Sequence, residues 1–319
     1  MDRKIAGGHP TVIRRNVLIF HSGGLGDFVL TWPLGLALGR LHPQSRIIYV
    51  THASKGELAA RAIRLDWLDA ETGWPVLYSA HPAGLNERLG KTLAESHSIY
   101  TFLSTPGDEF CRNVAKIAPE AAMAILRLTP PEGWQEHVTN HLLGQLTMPA
   151  VKTAVEQILS SVANKGVGPK IGGGGPIVLH PGSGSRKKCL PVAKFAEIAK
   201  NLIAAGLKVK FLLGEVELER FLPGDISQLV AVAPVARPAK YVDLLDELRA
   251  AGGFIGNDSG PGHLAGMLGL ATIALFVTSD PAVWRPLGPR VGVLRYQNPA
   301  DLTADEVGRA LEQLMEKVI

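Results

Sequence analysis

Asn164–Pro176, NKGVGPKIGGGGP, divides this chain into two segments with the same internal rhythm, and no other feature constrains the fold as strongly. It holds six glycines and two prolines and has no hydrophobic period, the composition of a linker rather than of a packed element. Before it, short apolar runs alternate with helical stretches: Asn16–Phe20, a helix to about Arg40, Arg46–Val50, Ile99–Leu103, Ala122–Leu128, then Val138–Leu146 and Val151–Val162. After it the alternation restarts with Ile177–His180, Val192–Ala205, Lys208–Leu213, an apolar run at Val230–Val232, Tyr241–Ala250, Phe254–Gly256, a helix after Ser259, and Ile273–Val277. Strands alternating with helices predict parallel β/α units. The expected fold is α/β, with two Rossmann-like domains facing across a cleft. The expected boundaries are an N-terminal domain over 1–165, a glycine-rich linker over 166–176, and a second domain over 177–300. The amphipathic segment Thr303–Lys317 predicts a C-terminal helix within 301–319, packing back on the first domain.

Composition sets the remaining bounds. Of 319 residues, 46% are hydrophobic and 19% charged, which fits a globular chain and excludes a disordered one. No apolar run reaches the length of a bilayer span, and MDRKIAGGHPTVIRR holds no signal-peptide apolar core, so a cytoplasmic protein is expected. Cys111 and Cys189 are too few for a disulfide framework or a metal cluster. Lys187 and Lys188 beside Cys189 would lower its pKa, but with no base nearby it reads as an incidental thiol. The net charge of +4 suits an acidic substrate or an anionic surface. Nucleic acid is not an expected partner, because no basic helix with interleaved aromatics is present.

Three segments carry candidate chemistry. Ser22–Asp27, SGGLGD, follows the first strand; Gly23, Gly24 and Gly26 allow the backbone to approach a ligand. Asp27 reads either as a helix cap or as a general base at the cleft. Ile177–Leu190, IVLHPGSGSRKKCL, passes from an apolar strand into glycines, hydroxyls and three cations ahead of a helix. Backbone N–H groups, Ser183, Ser185 and the Lys188 ammonium all stabilise anionic oxygen, while Gly182 and Gly184 leave the backbone open, so this loop reads as a diphosphate cradle. In Phe254–Leu268, FIGNDSGPGHLAGML, Ser259 caps a helix with Pro261 in its first turn. Its free N–H groups are a second phosphate site, with Asp258 placed for sugar hydroxyls and His263 for phosphate. The absence of CxxC and DxD pairs predicts no metal, and the absence of GxSxG excludes a serine hydrolase elbow.

In order and separation, these segments resemble the glycosyltransferase family 9 heptosyltransferases. The matching pieces are GGLGDFVLTWPL, PGSGSRKKCLP, GNDSGPGHLAGMLG and TSDPAVWRPLG. The resemblance implies a GT-B fold and an inverting, metal-independent glycosyltransferase. Its donor would be a nucleotide sugar, ADP-heptose first, and its acceptor a lipopolysaccharide-core-like or lipid-linked glycan, with peripheral contact at an anionic inner membrane and no cofactor. It assigns Asp27 as the base and Lys188 as the cation beside the diphosphate. It also implies donor contacts from Ser183, Gly184, Ser185, Glu217, Asp258, Ser259, Gly260 and His263, and an acceptor-side loop at Gly23, Gly24 and Gly26. Two departures fall beside the donor loops: the family's tryptophan two residues after the lysine is Leu190, and the glycine before the TDP-like segment is Val277. A GT-B nucleotide-sugar epimerase and a non-catalytic nucleotide-sugar-binding protein are the rival readings.

Overall fold

The computed structural model describes residues 15–80, 85–168 and 174–316. Its first sheet is built from β1 (Asn16–Phe20), β2 (Arg46–Thr51), β3 (Asp66–Asp69), β4 (Ser96–Thr101) and β5 (Ala122–Ile125), in the spatial order β3-β2-β1-β4-β5. The second contains β6 (Ile177–His180), β7 (Val209–Leu212), β8 (Val235–Ala236), β9 (Gly253–Asn257), β10 (Thr272–Phe276) and β11 (Val291–Arg295), ordered β11-β10-β9-β6-β7-β8. Every pairing is parallel. Both orders run outward from the first strand in two directions, the doubly wound pattern whose ligands lie beyond the strand carboxyl ends where the direction reverses. That reversal falls between β1 and β4 and between β6 and β9.

Helix-covered parallel strands are apolar on both faces, and NVLIF is buried throughout. Val17 and Ile19 pack with Leu34, Leu38 and Ile158 on one side; Leu18 and Phe20 pack with Trp74, Leu93 and Phe110 on the other. The first of these layers continues into Val178, Phe254 and Leu264 of the second unit, so the two units share apolar contact.

Several expectations shift. The helix after the first loop is two helices, Leu25–Leu30 and Trp32–Leu41. Pro33 lacks the N–H that a continuous helix would send to Val29, and its ring crowds that carbonyl. Val230–Val232 is not a strand: Val230 ends the helix Pro223–Val230, and the Ala231 and Val232 amides close onto Ser227 and Leu229. The strand is Val235–Ala236, paired with Phe211 and Leu212.

The C-terminal helix, Ala304–Glu316, does not pack back on the first domain. Val307, Leu311 and Leu314 enter the core formed by Leu202, Phe211 and Ile273 under the second sheet. The apolar face of an amphipathic helix goes to the nearest unfilled layer, here beside β10 and β11.

The start of the linker is ordered. Asn164 and Lys165 belong to the helix Pro149–Lys165, and the Val167 amide donates to the Met267 carbonyl at 2.7 Å. Gly166 turns there at φ +71, where a Cβ would come 2.7 Å from the Gly269 nitrogen. Residues 169–173 of the expected linker lie outside the described residues.

Candidate active site

The loops after β1, β6 and β9 open into one cleft of about 880 Å³ between the two sheets. From the first unit, the glycine loop delivers Asp27. Gly24 occupies the N-cap of Leu25–Leu30 and Asp27 is the third helical residue, so its carboxylate does not cap the helix. It lines the cleft in a first turn whose dipole favours negative charge. The loop folds closely over it: a Cβ on Gly23 would approach Asp27 Oδ2 and His21 Cε1 to 3.1 Å.

Beneath the loop sits a residue that sequence reasoning missed. Lys55, in the helix Ala53–Ile63, is buried, and its Nζ donates to the carbonyls of Gly23 at 2.6 Å and Ser22 at 3.1 Å. Burial pushes its pKa down, while the charge of Asp27 pulls it up. A lysine on an amphipathic helix has no sequence signal separating this placement from a solvated one. Its neighbour His21 is held neutral, at about 3, by burial and then by the Lys55 charge.

In the second unit, Asp258 is a hub rather than a free acceptor for sugar hydroxyls. Its Oδ2 receives Lys188 Nζ at 2.7 Å and Ser279 Oγ at 2.6 Å, and its carbonyl receives Ser183 Oγ at 2.6 Å. His263 Nε2 lies 3.8 Å from Oδ1. Burial opposes ionisation of this carboxyl, but the nearby His263 ring and the hydrogen bonds from Lys188 and Ser279 outweigh it and bring the pKa down to about 2. Ser279 has no counterpart among the expected residues, although it stands in the matching segment TSDPAVWRPLG.

Of the three adjacent cations only Lys188 lines the cleft. Arg186 Nη2 turns back to the Arg220 carbonyl at 2.7 Å, and Arg220 Nη1 reaches the Gly184 carbonyl at 3.2 Å, pinning the loop from outside. Lys187 is exposed. Ser259 Oγ accepts the Gly262 amide at 3.4 Å as the cap of Gly260–Met267. Glu217 is buried and faces the cleft. Its Oε2 takes the Gly214 amide at 2.8 Å, and its Oε1 fills the space a side chain on Gly182 would need.

Two expectations about this region are corrected. Burial, then the charge of Glu217, raises the Cys189 thiol, outweighing the opposite pull of Arg220 and Arg186. Leu190 does not face the donor side: it is 2% exposed within the second core, and its amide donates to Asn257 Oδ1 at 3.1 Å. Val277 packs against that same core.

The two halves touch through glycines. A Cβ on Gly260 would come 2.8 Å from Leu25 Cβ and 3.1 Å from the Gly26 nitrogen, and one on Gly26 would come 3.0 Å from His263 Cδ2, so the helix starts that carry Asp27 and His263 pack directly against each other. Arg61 and Asp246 pair across the boundary at 2.9 Å. His137 Nε2 donates to the Arg285 carbonyl at 2.9 Å, and burial brings its pKa down to about 4. The cleft also takes in Pro238, Tyr241 and Leu244, an apolar wall that the sequence segments did not single out.

The profile of Glycosyltransferase family 9 (heptosyltransferase) matches residues 147–310. Lipopolysaccharide heptosyltransferase 3 of Escherichia coli is 30% identical over 151 residues, 46% of this chain; the match spans 42% of that relative's length. Among solved structures, the glycosyl transferase family 9 protein from Veillonella parvula superposes with a TM-score of 0.67 at 18% identity, covering 95% of this chain and 98% of its own. E. coli ADP-heptose lps heptosyltransferase II gives 0.66 at 19% identity over 95% and 99%, and E. coli heptosyltransferase WaaC with ADP gives 0.65 at 16% identity over 94% and 99%. These likenesses establish the two-domain α/β architecture of the GT-B heptosyltransferases, and with a family profile matching half of its length, the chain belongs to glycosyltransferase family 9.

Proposed function

We propose that this protein is an inverting glycosyltransferase that moves a heptose from ADP-heptose to a hydroxyl of a lipopolysaccharide-core-like glycan. One observation carries the reading. A single cleft brings Asp27 from the first domain opposite Lys188, the Ser183–Ser185 loop, Glu217 and the Ser259–His263 turn of the second. The nucleotide is inferred from family membership and from relatives named for ADP or ADP-heptose.

In this reading the donor diphosphate lies on the second domain. Asp27 takes the proton of the acceptor hydroxyl as its oxygen attacks the anomeric carbon from the face opposite ADP. The bond between that carbon and the phosphate oxygen breaks through an oxocarbenium-like state, and its electrons leave with ADP. Lys188 and the N–H groups of the turn after Ser259 stabilise the departing anion, with no divalent cation required. Asp258 orients the Lys188 ammonium, as their 2.7 Å contact supports. Glu217 accepts from the ribose, and Pro238, Tyr241 and Leu244 offer the base an apolar wall.

Among the described residues no helix is long and apolar enough to cross a membrane. A cytoplasmic enzyme held peripherally on an anionic inner membrane by its positive balance completes the proposal. Salt-sensitive flotation with anionic vesicles tests that part, and no binding at low salt removes it.

The test of function is a thermal-shift comparison of ADP-, UDP- and GDP-sugars, followed by transfer from ADP-heptose to heptose-deficient lipopolysaccharide core with and without EDTA. Selective stabilisation by ADP-heptose and EDTA-insensitive transfer are expected. A UDP-sugar preference would redirect the donor, and an epimer or free sugar formed from donor alone would redirect the reaction.

A further inference from the structure

We infer that Lys55 is a positioning residue for Asp27, holding the glycine loop in the shape that presents the base to the cleft. This rests on the reading of Asp27 as the base.

The strand β1 ends at Phe20, and beyond it the Ser22 and Gly23 carbonyls are served by the Lys55 ammonium. Both hydrogen bonds are partly buried, and one side chain from a different helix supplies both carbonyls with a donor. In a planar trans peptide the N–H points opposite to the C=O, so anchoring these two carbonyls turns the Gly23 and Gly24 amides to the other side of the loop. Gly24 is the N-cap of the helix on which Asp27 is the third residue. The carbonyls held by Lys55 therefore set the direction in which that helix starts.

Placing an ammonium here is costly, because burial disfavours its charged form. The charge that offsets this is that of Asp27, and His21 is held neutral. A loop needing only a packed floor would be served by an apolar side chain without this cost. An ammonium that grips two successive carbonyls instead restrains the loop that leads into the Asp27 helix. Lys55 also lines the cleft, so a bound acceptor would share its environment.

Lys55→Met and Asp27→Asn, singly and together, test the assignment in transfer from ADP-heptose to heptose-deficient lipopolysaccharide core. Lys55→Met is expected to lower kcat about 10- to 100-fold, the scale of a reacting group displaced by an ångström, with KM for ADP-heptose changed less than about threefold. In the Asp27→Asn background the same change should cost less than about twofold, since the group it positions is gone. Hydrogen exchange at the Gly23–Asp27 amides should rise in Lys55→Met. Should Lys55→Met fail to fold, Lys55→Gln carries the same comparison.

An unchanged kcat, or a loss that persists in full on top of Asp27→Asn, overturns the positioning role. Failure of the functional reading looks different: Asp27→Asn itself would keep wild-type turnover. In that event unaltered exchange in Lys55→Met would still refute its hold on the loop.

Discussion

Lys188 Nζ and Asp258 Oδ2 lie 2.7 Å apart, an ion pair that ties the loop after β6 to the loop after β9. The carboxylate is 5% exposed and the ammonium 36% exposed, so the acid is buried structure and the cation reaches the cleft. Removing the cation leaves Asp258 with Ser279 and His263 as partners. Lys188→Met should therefore leave the fold intact while weakening ADP about 10- to 100-fold, the value of a charge-assisted hydrogen bond. Adenosine affinity should change less than about threefold. Calorimetry with both ligands checks this, and equal losses would deny Lys188 a diphosphate role.

Asp27 is separate from that donor half, on the first domain's helix start. Asp27→Asn should leave ADP affinity nearly unchanged and lower turnover by roughly two to four orders of magnitude. Parallel calorimetry and single-turnover transfer decide between a base and a bystander.

Gly260 meets Leu25 and Gly26 across the domain boundary. Gly260→Ala places a methyl where a Cβ would stand 2.8 Å from Leu25 Cβ, so the domains must part at this point. Small-angle scattering should show a larger radius of gyration, and kcat should fall about tenfold or more through misplacement of Asp27 relative to the donor. A variant with native scattering and native kcat would show that this contact does not set the approach of the domains.

Acid should destabilise the fold through two buried imidazoles. Burial, then Lys55, brings His21 to about 3, and burial brings His137 to about 4. Unfolded imidazoles titrate near 6.5, so below that pH the unfolded chain binds protons that the folded chain refuses. Stability is complete above about pH 6.5 and falls as pH drops toward 4, by up to roughly 1.4 kcal/mol per pH unit for each histidine. Asp258 adds its loss only lower down: depressed to about 2, it stabilises above its unfolded value near 4 and loses that between about 4 and 2. Urea midpoints at pH 7, 6 and 5 should fall steadily, with a shallower fall in His21→Phe. A flat profile would contradict the burial of neutral imidazoles.

Local pattern made much of this molecule legible. VLIF, IVL and FI are apolar runs that pass within a few residues into glycine and hydroxyl residues, so their strands and loops could be placed without tertiary information. Ser259 with Pro261 announced its helix in the same way. Short or partly exposed elements left no comparable trace: β3 reads DWLD and is partly open to solvent, and β8 is two residues long. Val230–Val232 looked like a strand because β-branched residues favour one, yet burial of Leu229 drew the segment into a helix end.

The alternation of strands and helices, the parallel sheets this implies, and the loops that bear anion-binding groups can all be read along the chain. All of these depend on residues within a few positions of one another. Tertiary structure decided that Lys188 pairs with Asp258, 70 positions away, that Lys55 grips a loop 32 residues before it, and that Leu190 turns into the core. It also placed the C-terminal helix under the second sheet. The physical reason is that an ion pair or a buried ammonium is stable only where the whole packing excludes water and supplies the partner, and that environment is assembled from segments distant in the chain.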